Sequence, residues 1–403
     1  MKRFYLFLMA LIVCGFQTAT AKYAFIHHNF LVSSIVHDGQ NIYIGTKNGL
    51  VVMDKETESQ TLYNSTNSSL PFGTAPGIEG VEETIFSLTL HDGVLWVGRF
   101  FSNYSSFCDG VFTNYQKTIP EVWYDNFLPP PVGIGPWPVG SLAFDPDGEM
   151  MYISQQDVFA PLLNGEFLPG YCFWTASTAS CAHIEDMQCD ENGTLWIVDS
   201  DSYDGRYGLC RYTKEGGLDL FLENYDDSDI PILGKKWEIC SLCLEIGPDG
   251  HVWIAPPGCL LEYDGETFHC YDTGIPKWQN PIRDLKFDDE GVLWCISTKG
   301  QLVSFDSETF VSHKVAEDDD RCECLDIDGS NIYIGTSKGL IVYNNGEQRN
   351  IELQTTVTTG INEHSAAASS VSSSVTYDLQ GRSLSGKPEK GLYIQDGRKH
   401  TVR

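Results

Sequence analysis

The stretch Asp38-Gly39-Gln40-Asn41-Ile42-Tyr43-Ile44-Gly45-Thr46 returns almost unchanged near the other end of the chain as Asp328-Gly329-Ser330-Asn331-Ile332-Tyr333-Ile334-Gly335-Thr336. Each copy reads as a tight Asp-Gly turn followed by a short strand of β-branched and aromatic residues. A Gly-Leu pair follows each copy, where a second turn leads into another strand. The stretch is therefore a β-hairpin unit, and its duplication predicts a repeat architecture.

Five weaker copies of this unit lie between the two. The turn glycines of all the copies, about 48 residues apart on average, are Gly39, Gly93, Gly148, Gly193, Gly250, Gly291 and Gly329. The aromatic residues of the strands that follow are Tyr43, Trp96, Tyr152, Trp196, Trp253, Trp294 and Tyr333. Most copies continue with two further strand-like segments. Four short antiparallel strands per repeat is typical of a propeller blade, so we predict an all-β, seven-bladed β-propeller over residues 22–354.

The second strands, such as residues 195–198, are apolar on consecutive positions. This is expected when neighbouring blades cover both faces of a strand, because an isolated blade has no core of its own. Closing the ring must also remove an exposed strand edge. We expect residues 23–30, which precede the first inner strand, to complete the last blade beside residues 341–343.

The N-terminus has the composition of a secretory signal peptide. Lys2 and Arg3 precede an apolar run over residues 4–16, and the small residues Ala19 and Ala21 suit cleavage after residue 21. A lipoprotein anchor at Cys14 is an alternative that the preceding Val fits poorly. No later run reaches about 18 apolar residues, so no membrane span is expected. We predict a secreted or cell-surface protein, with the periplasm as the alternative.

The repeat phrase Asp-Gly-x-x-Ile-Tyr-Ile-Gly-Thr-x-x-Gly-Leu resembles the propeller repeat of two-component regulator sensor domains. The middle copies depart from it, since the Gly-Thr pair becomes Gly98-Arg99, Ser154-Gln155 or Ala255-Pro256. In that family the propellers form the exported half of hybrid sensor kinases. No membrane helix or kinase follows the repeats here, so the resemblance implies the propeller fold and not the signalling role.

Residues 355–375 are rich in Ser, Thr and Ala and read as a flexible linker. The last segment, 376–403, reads as a small module of three strands with turn glycines. Its phrases Tyr-Asp-Leu-Gln-Gly-Arg at 377–382 and Lys-Gly-Leu-Tyr-Ile at 390–394 resemble the C-terminal sorting tail of type IX secretion substrates in Bacteroidota. That resemblance implies the secretion machinery as a partner, and a hairpin without a sorting role is the alternative.

Composition excludes some classes of partner and chemistry. The formal net charge of −29 repels nucleic acid and anionic lipid, so neither is expected to bind. The sequence has no nucleophile-elbow signature, no phosphate-binding glycine loop and no helical histidine pair at metal spacing. We therefore assign no catalytic residue, no cofactor and no metal site.

The 13 cysteines do not form the pattern of a small disulfide scaffold. Cys240 with Cys243 and Cys322 with Cys324 resemble metal pairs in spacing, but both pairs fall in predicted strands, where structural thiols or disulfides are favoured over zinc. Our preferred disulfide joins Cys172 and Cys181, which lie in one predicted loop.

One repeat position lies at the start of every inner strand, where the axis is approached. It is occupied by small or polar residues, namely Ser34, Ser87, Ser141, Asp186, Cys243, Asp284 and Cys324. We expect the seven to converge near the mouth of a central channel. Small residues suit a crowded axis, so a packing role is favoured, but the two carboxylates need a partner, water or ion.

The loops expected on one rim combine aromatic and acidic side chains. These are Phe100, Phe101, Tyr104, Trp137, Phe173, Trp174, Tyr203, Tyr207, Trp237 and Trp278, with Asp199, Asp201 and Asp204 among them. Flat rings beside carboxylates suit a sugar or an extended peptide. The alternative is that each tryptophan packs inside its own loop.

These observations predict an exported, non-enzymatic binding or scaffolding protein that recognises a glycan, peptide or protein. The expected ligand-binding residues are Phe101, Tyr104, Trp137, Trp174, Asp186, Asp201, Tyr207, Trp237, Trp278 and Asp284. The alternative is a lyase or hydrolase at the channel mouth, as in streptogramin-inactivating lyases, which also use a seven-bladed ring. Convergence of His183, Glu185, Asp186 and Asp284 within hydrogen-bonding distance would favour the enzyme.

Overall fold

A computed structural model describes residues 31–71, 83–99, 103–116, 122–124, 139–155, 158–172, 184–199, 208–226, 228–232, 241–276, 280–317 and 319–356, and strands within 376–402. The chain divides into two compact units, Met1–Val357 and Thr358–Arg403. In the described ranges the only helical element is a 3-10 turn at Phe221–Asn224. None of these residues forms a helix that is long and apolar enough to cross a membrane.

In the first unit the strands of each sheet pair antiparallel and follow chain order outward from the axis, except in blade 3, where residues 122–124 form the outermost strand and pair in parallel with residues 170–172. Blade 1 contains β1 (Val32–His37), β2 (Asn41–Thr46), β3 (Gly49–Asp54) and β4 (Gln60–Tyr63). Blade 2 contains β5 (Ile85–His91), β6 (Val94–Arg99), β7 (Asn103–Cys108) and β8 (Val111–Gln116). Blade 3 contains β9 (Val122–Tyr124), β10 (Val139–Phe144), β11 (Met150–Gln155), β12 (Val158–Leu163), β13 (Glu166–Phe167) and β14 (Gly170–Cys172).

The remaining blades have the four-strand plan of blades 1 and 2. Blade 4 contains β15 (Ile184–Cys189), β16 (Leu195–Asp199), β17 (Leu209–Thr213) and β18 (Gly217–Asp219). Blade 5 contains β19 (Leu244–Ile246), β20 (Val252–Ile254), β21 (Cys259–Tyr263) and β22 (Phe268–Asp272). Blade 6 contains β23 (Ile282–Phe287), β24 (Leu293–Ser297), β25 (Gln301–Phe305) and β26 (Phe310–Lys314). Blade 7 contains β27 (Cys322–Asp328), β28 (Asn331–Thr336), β29 (Leu340–Asn344) and β30 (Glu347–Ile351).

The inner strands form a closed ring, in which each contacts the inner strand of the next blade and β27 contacts β1. Apolar side chains of adjacent blades share one core, as Leu50 of blade 1 does with Val97 of blade 2. Because both faces of each second strand are covered, β2 and β28 are buried at every position after the first. The predicted seven-bladed, all-β propeller is confirmed.

Two local contacts explain the residues of the repeated Asp-Gly-x-Asn-Ile-Tyr-Ile-Gly-Thr stretch. In blade 1, the Asp38 carboxylate accepts hydrogen bonds from the Gln40 and Asn41 amides, at 2.7 and 2.6 Å, and from the Tyr43 hydroxyl at 2.6 Å. It thereby fixes both the turn and the aromatic ring. The glycine late in the second strand is required by close approach, since a Cβ at Gly45 would lie 2.9 Å from the side chain of Ile85 in blade 2.

The expected closing strand is wrong in its position. Both edges of β29 are already paired, with β28 on one side and β30 on the other. No edge therefore remains beside residues 341–343 for residues 23–30, which lie outside the described residues. Each of the first and last blades is instead built from its own consecutive strands.

The second unit contains four short strands, β31 (Thr376–Tyr377), β32 (Ser383–Leu384), β33 (Gly391–Gln395) and β34 (Arg398–Val402), one more than predicted. They pair antiparallel in the order β32-β31-β33-β34. The predicted leader, 1–21, and the part of the predicted linker beyond residue 356 lie outside the described residues.

The described cysteines of the two metal-like pairs are structural thiols, as the sequence favoured over zinc ligands. Cys243, Cys322 and Cys324 are buried and are not in disulfides. Burial raises the pKa of the Cys322 thiol to about 12, which makes a thiolate ligand or nucleophile unfavourable there. Cys240 and Cys181 lie outside the described residues, so the preferred disulfide to Cys172 stays a prediction.

Candidate functional site

A central cavity of about 510 Å³ is lined by the inner strands of all seven blades. Six of these strands carry a register shift near their first residue, at the repeat position identified from the sequence. A bulge of this kind redirects a side chain out of the regular strand pattern. The seven residues at that position, Ser34, Ser87, Ser141, Asp186, Cys243, Asp284 and Cys324, all line the cavity. Their predicted convergence is confirmed.

The two carboxylates at this position bind the backbone of the following blade. Asp186 accepts a hydrogen bond from the Leu244 amide of blade 5 at 3.2 Å and one from its neighbour Met187 at 2.8 Å. Asp284 accepts from the Leu325 amide of blade 7 at 2.8 Å and from Leu285 at 2.9 Å. Each carboxylate therefore joins two blades.

The same position joins other blades with hydroxyl groups. Ser34 accepts a hydrogen bond from the Leu88 amide at 3.2 Å, and Ser87 donates to the Val139 carbonyl at 3.1 Å. The Ser141 hydroxyl lies 3.3 Å from Asp186 Oδ1 and donates to it. The contacts of Ser34 and Ser87 satisfy backbone groups of the next blade, which explains why small polar residues recur there.

Depth in the channel changes the acidity of both carboxyl groups. Desolvation raises the pKa of Asp186 to about 6 and that of Asp284 to about 7, while the positive charge of Lys286 and the backbone hydrogen bonds oppose the shift. A carboxyl group that titrates near neutral pH can transfer protons. Both groups nevertheless have their oxygens occupied by backbone amides.

Two ion pairs also contribute side chains to the wall of the cavity. Lys286 Nζ lies 2.7 Å from Glu245 Oε2, joining blades 5 and 6. Arg283 donates to Glu323, joining blades 6 and 7, and both side chains are largely buried. Each positive group is thus neutralised by a carboxylate of an adjacent blade.

Sequence reasoning did not single out these four residues, although the repeat alignment contains them. Glu245 and Lys286 stand two positions after Cys243 and Asp284, and Arg283 and Glu323 stand one position before Asp284 and Cys324. Opposite charges at equivalent positions of consecutive repeats were the available signal. Pairs of this kind are visible only once repeats are read as neighbours in a ring.

The predicted rim residues fall mostly outside the described part of the chain. This applies to Phe101, Trp137, Trp174, Asp201, Tyr207, Trp237 and Trp278. The prediction that Tyr104 lies in a rim loop is wrong, because this residue lies in strand β7. It is 2% exposed and stacks on Tyr115 with a centroid separation of 5.0 Å. This ring packs between blades 2 and 3 and is not available to a ligand.

The residues whose convergence would favour an enzyme are only partly brought together in the described structure. Glu185, Asp186 and Asp284 line the same cavity, while His183 lies outside the described residues. The described hydrogen bonds of Asp186 and Asp284 run to backbone amides and to Ser141. They do not join the two carboxylates to each other.

Similar folds occur in proteins of different function. A virginiamycin B lyase from Staphylococcus aureus matches with a TM-score of 0.55 and 11% identity, over 77% of this chain and 92% of the lyase. The extracellular domain of the putative hybrid two component system BT4673 from B. thetaiotaomicron matches with a TM-score of 0.52 and 17% identity, over 78% of this chain and 38% of that one. PorZ, a surface component of the type-IX secretion system of Porphyromonas gingivalis, matches with a TM-score of 0.50 and 10% identity, over 81% of this chain and 38% of PorZ.

Identities at this level establish a shared fold and nothing further. The resemblance to two-component regulator propellers is therefore supported as a likeness of fold. No protein-family model matches the chain, and no curated protein matches it.

Proposed function

We propose that this protein is an exported, non-enzymatic β-propeller that binds a glycan or peptide on the end of the ring where the inner strands begin. The observation that carries the proposal is the use of the channel's charged groups. Asp186, Asp284, Lys286 and Arg283 are all engaged in contacts that join blades. A polar network whose members are already satisfied by one another rigidifies the ring and supports a scaffold better than a catalytic centre.

Strand connectivity supports one shared binding end. Ile184 at the start of β15 pairs with Asp199 at the end of β16, and Ile282 at the start of β23 pairs with Ser297 at the end of β24. Segments that lead into a first strand, or that join a second strand to a third, therefore attach at the same end of a blade. Those segments contain the aromatic and acidic residues Phe101, Trp137, Trp174, Asp201, Tyr207, Trp237 and Trp278.

A binding screen with matched variants tests this proposal. The mature chain is applied to glycan and peptide arrays, and any ligand is titrated against the wild type and the Trp137→Ala, Trp174→Ala double variant. We expect affinity to fall at least about tenfold, because aromatic anchors dominate such sites. Val111→Ala is the control, since Val111 is 65% exposed at the start of β8, beside the β7–β8 turn and at the opposite end of blade 2. Equal affinity in all three proteins would refute the rim as the binding surface.

A lyase or hydrolase is the second candidate, because Asp186 and Asp284 have raised pKa values beside a cavity large enough for a small molecule. The ligand found in the screen is incubated with the protein and examined by mass spectrometry. Turnover that disappears in Asp284→Asn, with binding retained, would replace the binding function by an enzymatic one. An unchanged ligand supports the non-enzymatic proposal.

Export and surface attachment belong to the same proposal and rest on the N-terminal leader and the 376–403 tail. Cell fractionation is carried out on the full chain and on a chain that ends at residue 374. We expect the full chain in the surface or medium fraction and the shortened chain in the periplasm. Equal distribution of both would remove the sorting role from the tail.

A further inference from the structure

Blade 5 departs from the repeat in the turn between β19 and β20. In blades 4 and 6 an aspartate in this turn accepts a hydrogen bond from the strand tryptophan, from Trp196 Nε1 to Asp190 at 3.1 Å and from Trp294 Nε1 to Asp288 at 2.7 Å. Blade 5 has Gly247 at that position. The indole nitrogen of Trp253 is accordingly buried with no hydrogen-bond partner in the described structure.

The carboxylates of blade 5 are placed differently, around a histidine. His251 Nδ1 lies 2.6 Å from Glu262 Oε1 and 3.3 Å from Asp249 Oδ2. One ligand atom from each of the three side chains lies within 4.8 Å of the others, which occurs at no other place in the described ranges. Histidine nitrogen with two carboxylate oxygens is a recurrent ligand set for zinc and related ions.

Neighbouring groups fix the orientation of these side chains. The Tyr271 hydroxyl donates to Glu262 Oε2 at 2.6 Å, which leaves Oε1 directed at His251. Asp249 Oδ1 accepts from the His251 amide at 3.1 Å, which leaves Oδ2 facing the imidazole. Supporting hydrogen bonds of this kind hold metal ligands in place before the ion binds.

Exposure and charge also suit a cation. The Glu262 side chain is only 10% exposed, whereas that of Asp249 is 55% exposed, so the group has a fixed interior ligand and an entrance from solvent. Two carboxylates and a neutral imidazole balance the charge of a divalent ion. An all-oxygen set would favour Mg²⁺ or Ca²⁺, but the imidazole nitrogen favours a transition metal.

We propose that Asp249, His251 and Glu262 form a site for a divalent transition-metal ion of the zinc type, on blade 5 and separate from the rim. In the metal-free protein, the Nδ1 proton of His251 is shared with Glu262. The ion replaces that proton, and solvent completes the coordination shell on the open side of Asp249. The ion would tie the β19–β20 turn to β21 and stabilise the outer part of the blade.

Calorimetric titration of the metal-free full chain with ZnCl₂, in excess Mg²⁺ to occupy oxygen-only sites, tests the proposal. We expect a site of one equivalent whose affinity falls at least about tenfold in His251→Ala and in Glu262→Gln. His269→Ala is the matched control, because His269 lies in the same blade but pairs with the single carboxylate of Asp264. Its affinity should equal that of the wild type.

A second measurement keeps the test independent of the stability of any one variant. Co²⁺ replaces Zn²⁺, and its visible absorption reports a four- or five-coordinate inner shell built by the three protein ligands in the wild type and the loss of that shell in Asp249→Asn. Circular dichroism confirms that each variant is folded. The absence of a one-equivalent site, or equal affinity in the wild type and His251→Ala, would mean that the cluster is a structural ion pair only.

Discussion

His37 Nδ1 lies 2.7 Å from Asp326 Oδ2, and the two residues belong to the first and the last blade of the ring. The same imidazole reaches Asp328 with Nε2 at 3.6 Å, and Lys55 Nζ lies 2.6 Å from Asp328. This polar cluster joins blades 1 and 7 beside the contact between β1 and β27. Closure of the ring therefore combines apolar packing with charged hydrogen bonds that join residues far apart in sequence.

Removing the imidazole should weaken closure of the ring. We expect His37→Ala to lower the free energy of unfolding by about 1 to 2 kcal/mol, because it leaves the partly buried Asp326 without its charged partner. Urea denaturation measures the change. His313→Ala is the control, since His313 contacts the Tyr343 ring and its described contacts include no carboxylate. Equal losses in the two variants would contradict a specific role for the cluster.

The contribution of His37 should depend on pH. The hydrogen bond that His37 donates to Asp326 raises the pKa of His37 above its ordinary value of 6.5. A raised pKa gives stability that is complete below about 6.5 and is lost as pH rises through the value in the folded protein. We expect the difference in unfolding free energy between the wild type and His37→Gln to be larger at about pH 6 than at about pH 8.5. A difference in unfolding free energy that grows with pH would contradict a raised pKa of His37 in the folded protein.

Asp284 should also produce a pH dependence that its amide variant lacks. Its folded pKa, raised to about 7 by desolvation, exceeds the ordinary value of 3.8, so folding favours the protonated form. The corresponding stability is complete below about 3.8 and is lost as pH rises through about 7. Asp284→Asn removes this titration. In denaturation experiments we expect the variant to be less destabilised, relative to the wild type, at about pH 8 than at about pH 5.

Gly98 should tolerate no side chain. A Cβ there would lie 2.7 Å from the Val139 carbonyl oxygen of the next blade, as well as against Ser87. We expect Gly98→Ala to lower the unfolding free energy by about 1 to 3 kcal/mol through overpacking. Gly39→Ala is the control, because a Cβ at Gly39 meets no atom within 4 Å. Thermal or urea unfolding of both variants gives the comparison, and equal stability would refute the close approach.

One position of the cavity wall was accessible from sequence because the repeat supplies an alignment within one chain. The position shared by Asp186 and Asp284 was identified in this way, and both line the cavity. The position of Tyr104 was predicted wrongly. Arg99 ends β6 and Asn103 begins β7, so the connection is shorter than the sequence suggests and Tyr104 falls inside a strand. Strand boundaries depend on pairing across the blade, which a single segment does not encode.

The sequence by itself determined the seven-bladed ring, because a repeated strand pattern with apolar residues on both faces can be buried only between copies of itself. The tertiary structure decided which polar groups meet. Lys286 faces Glu245 because blades 5 and 6 are adjacent, and His37 faces Asp326 because the ring closes. The meeting of Asp249, His251 and Glu262 likewise depends on the pairing of β20 with β21, which brings Glu262 beside the turn. Local patterns of hydrophobicity fix the elements, whereas contacts between polar side chains follow from the register and closure of the assembled ring.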